Sequence, residues 1–227
     1  MNSAIVPIRQ GEPHYVGSDI LISEHVIDKV TCQEIMAYAD AHAGNPAFVG
    51  DPQEDSSVQN TYTDAFIADR VDVINDPPMA KKLNRICEDY YRQIVEPYYS
   101  MAMEWFEIPH LLRYQPGGEC GLHSDAENWK ANEYQWVREI DRDYSSVIYF
   151  NADYSGGGLA FPDLNIRITP GSGMCVTFPS DHRFTHEVEP VVEGVRYACV
   201  MWAAALGTER CNKMVTDSIF RLRGPLA

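Results

Sequence analysis

A chain of 227 residues, 45% of them apolar, is long enough to close one well-buried core, and it contains no run of about eighteen apolar residues that would span a membrane. Thirty-three acidic against eighteen basic residues give a formal charge of −15, which argues against a nucleic-acid backbone as main partner, because that role needs clustered Lys and Arg. The six cysteines form no Cys-x-x-Cys, so neither a disulfide framework nor a thiolate zinc site is expected.

In chain order, the first nine residues lack a basic segment followed by a long apolar one. No secretory signal is expected there, and a reducing cytoplasm is the expected compartment. Tyr15-Val16 and Ile20-Leu21-Ile22 read as short strands. A helix follows, starting at Ser23 or at Thr31, where Thr31-x-x-Glu34 has the form of a capping box. Ile35, Met36 and Ala39 give it an apolar face, and Gly44 and Pro46 end it. Residues 44–60 are polar and loop-like, and 61–73 can hold a strand or two. A second helix has Asp76 as N-cap and Pro77 at its first position, where the missing N–H costs nothing. Met79, Leu83, Ile86, Tyr90 and Ile94 make its apolar stripe, Pro97 stops it, and Tyr90, Tyr91, Tyr98 and Tyr99 read as core and rim aromatics.

Beyond residue 100 the period shifts from helix to strand, with short runs at 109–115, 145–151, 157–161, 164–169, 173–178, 185–190 and 195–205 punctuated by Gly and Pro. Helices followed by many short strands predict an α+β, mainly β fold. That fold is a double-stranded β-helix (jelly roll) with the N-terminal helices packed on one sheet. The expectation is a single domain over 1–227, with helical support about 23–99 and the jelly-roll core about 100–206.

Within this core, His123-x-Asp125 places one imidazole and one carboxylate two residues apart, on the same face if the segment is a strand. His186 lies downstream, after the apolar run 174–179. Two histidines and one carboxylate are the facial triad that leaves Fe(II) three open positions. Arg196, ten residues after His186, is the fork-shaped cation that grips a carboxylate. The alternative for Arg196 is an outward side chain paired with one of the many acids.

The stretch from about 111 to 205 resembles the prolyl 4-hydroxylase-like group of Fe(II)/2-oxoglutarate-dependent oxygenases. The matching pieces are Arg113-Tyr114-x-Pro116-Gly117, Ser146-Val147-Ile148-Tyr149-Phe150-Asn151, and Gly156-Gly157-Gly158-Leu159-Ala160-Phe161-Pro162. They continue with Pro170-Gly171-x-Gly173-x-x-Val176-x-Phe178-Pro179 and Thr185-His186-Glu187-Val188-x-Pro190-Val191-x-x-Gly194-x-Arg196-Tyr197. The resemblance implies the jelly roll, iron held by His123, Asp125 and His186, and 2-oxoglutarate held by Arg196 with Tyr114 and Tyr149. It also implies O2 as oxidant and ascorbate as candidate reductant. The implied activity is a dioxygenase, an oxidoreductase that hydroxylates an unactivated C–H bond of an amino acid, peptide or protein side chain while 2-oxoglutarate yields succinate and CO2. Asp125, rather than a small residue, implies hydroxylation over halogenation. One departure is Cys120, which stands where many relatives carry a Tyr touching the co-substrate.

The polar segment 126–143 starts beside Asp125 and carries two Trp residues without strand alternation. It reads as a mobile wall of the substrate pocket, with Asn128 and Trp129 as contacts and Trp202 as a third; the alternative is a surface excursion whose Trp residues pack on the body. His182 and His186, four apart, match zinc-helix spacing but lack a helical stripe. Within the oxygenase class, nucleic-acid demethylation is disfavoured because Trp202 stands where a second Arg would be needed. An oxygenase acting on a small-molecule natural product and a non-catalytic jelly-roll binding module are the other readings.

Overall fold

The computed structural model describes residues 14–15, 19–42, 45–46, 66–73, 75–211 and 219–223. Two antiparallel sheets face each other, and two helices lie on the outer face of the larger one. The larger sheet runs in the order His14–Tyr15, Leu21–Ser23, Cys175–Pro179, Tyr144–Tyr149, Arg196–Ala205, His110–Tyr114, Asp69–Val71 and Asn45–Pro46. Met103–Glu107 joins the end of Arg196–Ala205 and carries Ile219–Arg221 on its other side. The smaller sheet runs Ile166–Ile168, Leu159–Phe161, His186–Val188, Glu119–His123 and Phe66–Ile67. Alternation sorts the strands between two cores. Val147, Tyr149, Val176, Phe178 and Ala198 face the smaller sheet with Leu159, Phe161 and Ile168. Ile148, Cys175, Cys199 and Met201 face the helices with Ile35, Leu83, Cys87 and Tyr90. The fold is the expected jelly roll.

Helix α1 spans Lys29–His42 and α2 spans Pro77–Tyr90. The start of α1 differs from both expected positions. Ser23 belongs to a strand, and Asp28 accepts the Thr31 amide at 2.7 Å, so the Asx cap comes three residues ahead of the Thr-x-x-Glu signature. Cys32, Ile35 and Ala39 form its buried face, with Met36 half-buried. The start of α2 is as expected: the Asp76 carboxylate accepts from the Met79 amide at 3.0 Å, and Pro77 opens the helix. Its fully buried row is Met79, Leu83, Cys87 and Tyr90, with Ile86 and Ile94 half-buried beside it.

Pro97 does not stop the helical path. The backbone widens to a π turn over Tyr91–Val95, then runs through Glu96–Tyr99 and ends at Ser100, φ 51°. A proline ring clashes with the carbonyl four residues back and offers no N–H to it, and the π turn lies directly ahead of that ring, where the backbone has left the regular α register.

The stretch before residue 100 is not helical support alone. Leu21–Ser23 pairs with Cys175–Pro179, and Phe66–Ile67 pairs with Glu119–His123, so it extends both sheets. Asn45–Pro46, expected in a loop, pairs with the strand at Asp69 and Arg70. Val16, Gly44, residues 47–60 and residues 61–65 lie outside the described residues. No helix among the described residues is long and apolar enough to cross a membrane.

Candidate metal and co-substrate site

The two histidines of the site come from directly opposed positions. His123 ends the strand Glu119–His123, His186 begins the strand His186–Val188, and the two are cross-strand partners with ring centroids 4.3 Å apart. The imidazoles are oriented in the same manner: His123 Nδ1 donates to the Gly121 carbonyl at 2.8 Å and His186 Nδ1 to the Phe184 carbonyl at 3.0 Å. A carbonyl only accepts, so each Nδ1 carries a proton, and each Nε2 is turned toward Asp125. Phe178 packs edge-on to His186 at 4.7 Å, with Phe161 beyond it.

Asp125 does not share a strand with His123, contrary to the alternation expected from the sequence. The strand ends at His123, and Asp125 sits in the following bend. The bend is pinned by the Ser180 carbonyl, which accepts from both the Ser124 hydroxyl and the Ala126 amide at 3.0 Å. The pinned carboxylate lies 3.5 Å from His123 Nε2 and 3.6 Å from His186 Nε2. All three ligand atoms fall within 4.8 Å of one another, the one such cluster of metal-ligating groups among the described residues. Burial opposes ionisation of Asp125, but His186, His123 and Arg142 outweigh it, so its carboxyl lies far below the usual range. Burial and the neighbouring His123 lower the His186 pKa to about 4, so this imidazole is neutral at pH 7. Burial lowers the His123 pKa, but Cys120 and Asp125 outweigh it and hold it well above the usual imidazole value, so a metal must displace the proton from its Nε2. A carboxylate and two imidazole nitrogens at one point, with no fourth ligand in the cluster among the described residues, fit an Fe(II) ion that keeps open positions.

Arg196 begins the long strand, pairs across it with Tyr114, and is 1% exposed. Its guanidinium carbon stands 4.6 Å from the Tyr114 ring centroid and 5.0 Å from that of Tyr149. Arg196 Nε and Nη1 are buried without a hydrogen-bond partner among the described residues, as are the hydroxyls of Tyr149 and Tyr154. A buried, permanently charged guanidinium with idle donors fits a carboxylate ligand and excludes the outward alternative. Tyr149 faces the same inter-sheet core as Phe161 and Phe178, which flank His186. The expected residues thus form two groups: His123, Asp125 and His186 converge on one point, and Arg196 lies against Tyr114 and Tyr149, with Tyr149 in the apolar layer that holds Phe161 and Phe178.

The segment 126–143, read from the sequence as lacking strand alternation, holds a β-hairpin. Glu127–Lys130 pairs with Gln135–Arg138, and Trp129 stands opposite Trp136. Its turn has no glycine; Tyr134 takes the left-handed conformation, φ 51°. Trp129 packs on Trp136 at 5.9 Å, and Trp136 stacks on His182 at 5.3 Å. Asn128 gives its amide to Glu139. His182 bonds through Nδ1 to Glu127 at 2.5 Å and takes no part in the triad.

Trp202 is tied to the Asp125 backbone through Arg142, which sequence reasoning did not single out. Its guanidinium lies 3.7 Å over the Trp202 ring, donates to the Asp125 carbonyl at 3.1 Å, and grips Glu107 with two bonds of 2.6 and 2.8 Å. His110 packs edge-on to Trp202 at 5.1 Å, and burial with Arg70 and Arg142 nearby lowers its pKa to about 3, leaving it neutral. Trp202 Nε1 is buried without a partner among the described residues. Cys120 is buried, its sulfur 3.7 Å from His123 Nδ1.

Residues 109–204 match the family model of the 2OG-Fe(II) oxygenase superfamily. Prolyl 3-hydroxylase 1 of Mus musculus is 24% identical over 212 residues, which cover 82% of this chain and 28% of that one. A PKHD-type hydroxylase of Sphingopyxis alaskensis is 33% identical over 102 residues, 43% of this chain and 44% of the relative. The chain thus spans less than half the length of these curated relatives. Among solved structures, a Trichoplax adhaerens prolyl hydroxylase, in complex with a hypoxia inducible factor oxygen degradation domain peptide fragment, aligns with a TM-score of 0.62 at 17% identity. That alignment covers 85% of this chain and 89% of the other. At that identity the likeness speaks for the fold.

Proposed function

We propose, from the premise that residues 109–204 are a domain of the 2OG-Fe(II) oxygenase superfamily, that the protein is an Fe(II)- and 2-oxoglutarate-dependent dioxygenase. It hydroxylates an unactivated C–H bond in an amino acid, peptide or protein side chain. The observation that carries this reading is a His-Asp-His cluster flanked by Phe161 and Phe178, together with a buried guanidinium with unmatched donors beside Tyr149 of the same apolar layer. His123, Asp125 and His186 hold the iron, and Arg196 with Tyr149 holds the far carboxylate of 2-oxoglutarate. When bound, the metal and co-substrate activate O2, placing one oxygen atom in the substrate C–H bond and the other in succinate as CO2 leaves.

The chain's own part is orientation and exclusion of water. The Gly121 and Phe184 carbonyls fix both imidazole planes, and the Ser180 carbonyl fixes the bend that carries Asp125. Phe161 and Phe178 keep the His186 side dry. Trp202, held by Arg142 one bond away from Asp125, forms one wall of the substrate pocket, and its idle Nε1–H is a donor for a substrate carbonyl. The Trp129 hairpin, which follows Asp125 directly, forms another. The solved peptide complex of a fold neighbour supports peptides as the first substrates to try.

The test is succinate release from purified protein with Fe(II), 2-oxoglutarate and O2, followed by a screen of amino acids and peptides for a gain of one oxygen atom. Protein that loads iron yet releases no succinate with any candidate, or without one, would identify a binding module instead.

A further inference from the structure

Buried polar atoms nearly always have partners, so several orphans at one point call for a ligand. Three groups around Arg196 share this property: its own Nε and Nη1, the Tyr149 hydroxyl and the Tyr154 hydroxyl. The first two belong to strands of the larger sheet. Tyr154 reaches the same place from the turn that follows Tyr144–Tyr149, and that turn is built around it. Asn151 ties its start to the Arg196 strand, donating to the Val195 carbonyl at 2.7 Å and accepting from the Tyr197 amide at 3.0 Å.

Two glycines let the phenol in. A Cβ at Gly157 would stand 3.0 Å from both Arg196 Cδ and Tyr154 Cε2, so the guanidinium stem and the phenol ring flank one bare α-carbon whose φ is +60°. A Cβ at Gly194, φ +78°, would meet the Tyr154 backbone at 3.0 Å. Every nitrogen of a guanidinium donates and a phenol carries one donor proton, so the group missing from this pocket is an acceptor with several lone pairs. Burial pushes the Tyr154 phenol up, with Arg196 opposing, so it keeps its proton at neutral pH.

We propose that Tyr154 is a co-substrate-binding residue whose hydroxyl donates to the far carboxylate of 2-oxoglutarate beside Arg196 and Tyr149. This rests on the dioxygenase reading and adds a residue to its site. Tyr154 makes the pocket select for the charge at that end of the co-substrate, while the keto acid end is left to the metal.

The experiment compares wild type with Tyr154→Phe, both loaded with Mn(II) in place of iron, in calorimetric titrations with 2-oxoglutarate and with 2-oxopentanoate. The second ligand has the same chain with a methyl in place of the far carboxylate. Tyr154→Phe should weaken 2-oxoglutarate about tenfold, as loss of a hydrogen bond to a charged group does, and leave 2-oxopentanoate unchanged. In turnover the KM for 2-oxoglutarate should rise while kcat at saturation holds. Equal weakening of both ligands would make Tyr154 a packing residue and overturn the proposal, as would superimposable 2-oxoglutarate isotherms. Wild-type protein that binds Mn(II) but not 2-oxoglutarate would overturn the dioxygenase reading itself, and the role of Tyr154 with it.

Discussion

Replacing Arg196 tests the site where structure and chemistry are most tightly linked. The guanidinium is 1% exposed, and two of its nitrogens have no partner among the described residues. Truncating one member of a buried charge pair costs about 2–5 kcal/mol, much of it from the charge left behind. At about 1.4 kcal/mol per decade, Arg196→Ala should raise the dissociation constant for 2-oxoglutarate by about 30-fold to several thousand-fold. Arg196→Lys should recover part of this, since an ammonium cannot reproduce the fork. The ligand-free protein should respond in the opposite sense. An unmatched buried charge is a liability, and an apolar side chain of similar volume is often neutral or stabilising there. Arg196→Met should therefore melt at or above wild type without ligand, despite losing its stacking on Tyr114 and Tyr149. With saturating 2-oxoglutarate and Mn(II) the order should invert, because only wild type gains binding energy. Thermal melts across a 2-oxoglutarate titration read both effects. Superimposed titrations, or an Arg196→Met apoprotein several kcal/mol weaker than wild type, would show that the guanidinium is satisfied by the protein itself.

The triad variants His123→Ala, Asp125→Ala and His186→Ala should each remain folded and lose most bound iron, measured as metal content after dialysis; full iron occupancy in the His186 variant would remove it from the ligand set. Arg142→Ala should cut substrate oxidation with little change in 2-oxoglutarate affinity, because Trp202 loses the group that fixes it to the Asp125 backbone. It should also lower stability by about 1–3 kcal/mol, since Glu107 is left without its donors. Trp129→Ala should remove a cross-strand aromatic pair of about 0.5–1.5 kcal/mol and uncouple substrate oxidation from 2-oxoglutarate decarboxylation, read as the ratio of hydroxylated product to succinate. A ratio equal to wild type would move the substrate wall away from this hairpin.

What could be read in the sequence was what depends on local pattern. Asp76-Pro77 announced α2 because capping and proline chemistry act within one turn. Arg196 was legible through its spacing of ten residues after His186, and alternation along its strand puts Ala198 on the inter-sheet side and Tyr197 and Cys199 on the helix side. Features set by distant partners were not legible. The Asp125 bend depends on the Ser180 carbonyl, 55 residues after it. The hairpin 127–138 turns through a left-handed Tyr134 instead of a glycine, so it carried no turn signal. Glu119–His123 contains Gly121 and two charged or polar ends, and only pairing with His186–Val188 and Phe66–Ile67 makes it a strand. Tyr154 was hidden among the polar residues of a turn. Its one visible hint was Gly156-Gly157, where the backbone is kept bare beside a residue large enough to need the space.

Charge at the centre explains why such a site can be buried in a chain of net charge −15. Arg142 and Glu107 neutralise each other in a bidentate pair, and His110 is kept neutral. Asp141, the other buried carboxylate, accepts from the Cys211 amide and lies 4.0 Å from Arg138. With His123 and His186 as neutral ligands, that leaves Asp125 and Arg196 as the charges at the pocket, opposite in sign. A divalent ion alone would leave the pocket with two excess positive charges, and 2-oxoglutarate alone would leave it with two negative ones. Together they bring it to neutrality, the state in which buried charge is least costly. The two ligands should therefore bind cooperatively, and linkage requires the same factor in both directions. Titrating Mn(II) with and without 2-oxoglutarate, then 2-oxoglutarate with and without Mn(II), should give equal enhancements well above tenfold. Arg196→Met should shrink that factor, since its loaded site carries one uncompensated negative charge. Independent binding in wild type would mean that solvent or the acidic exterior, and not the ligand pair, sets the charge balance at Asp125.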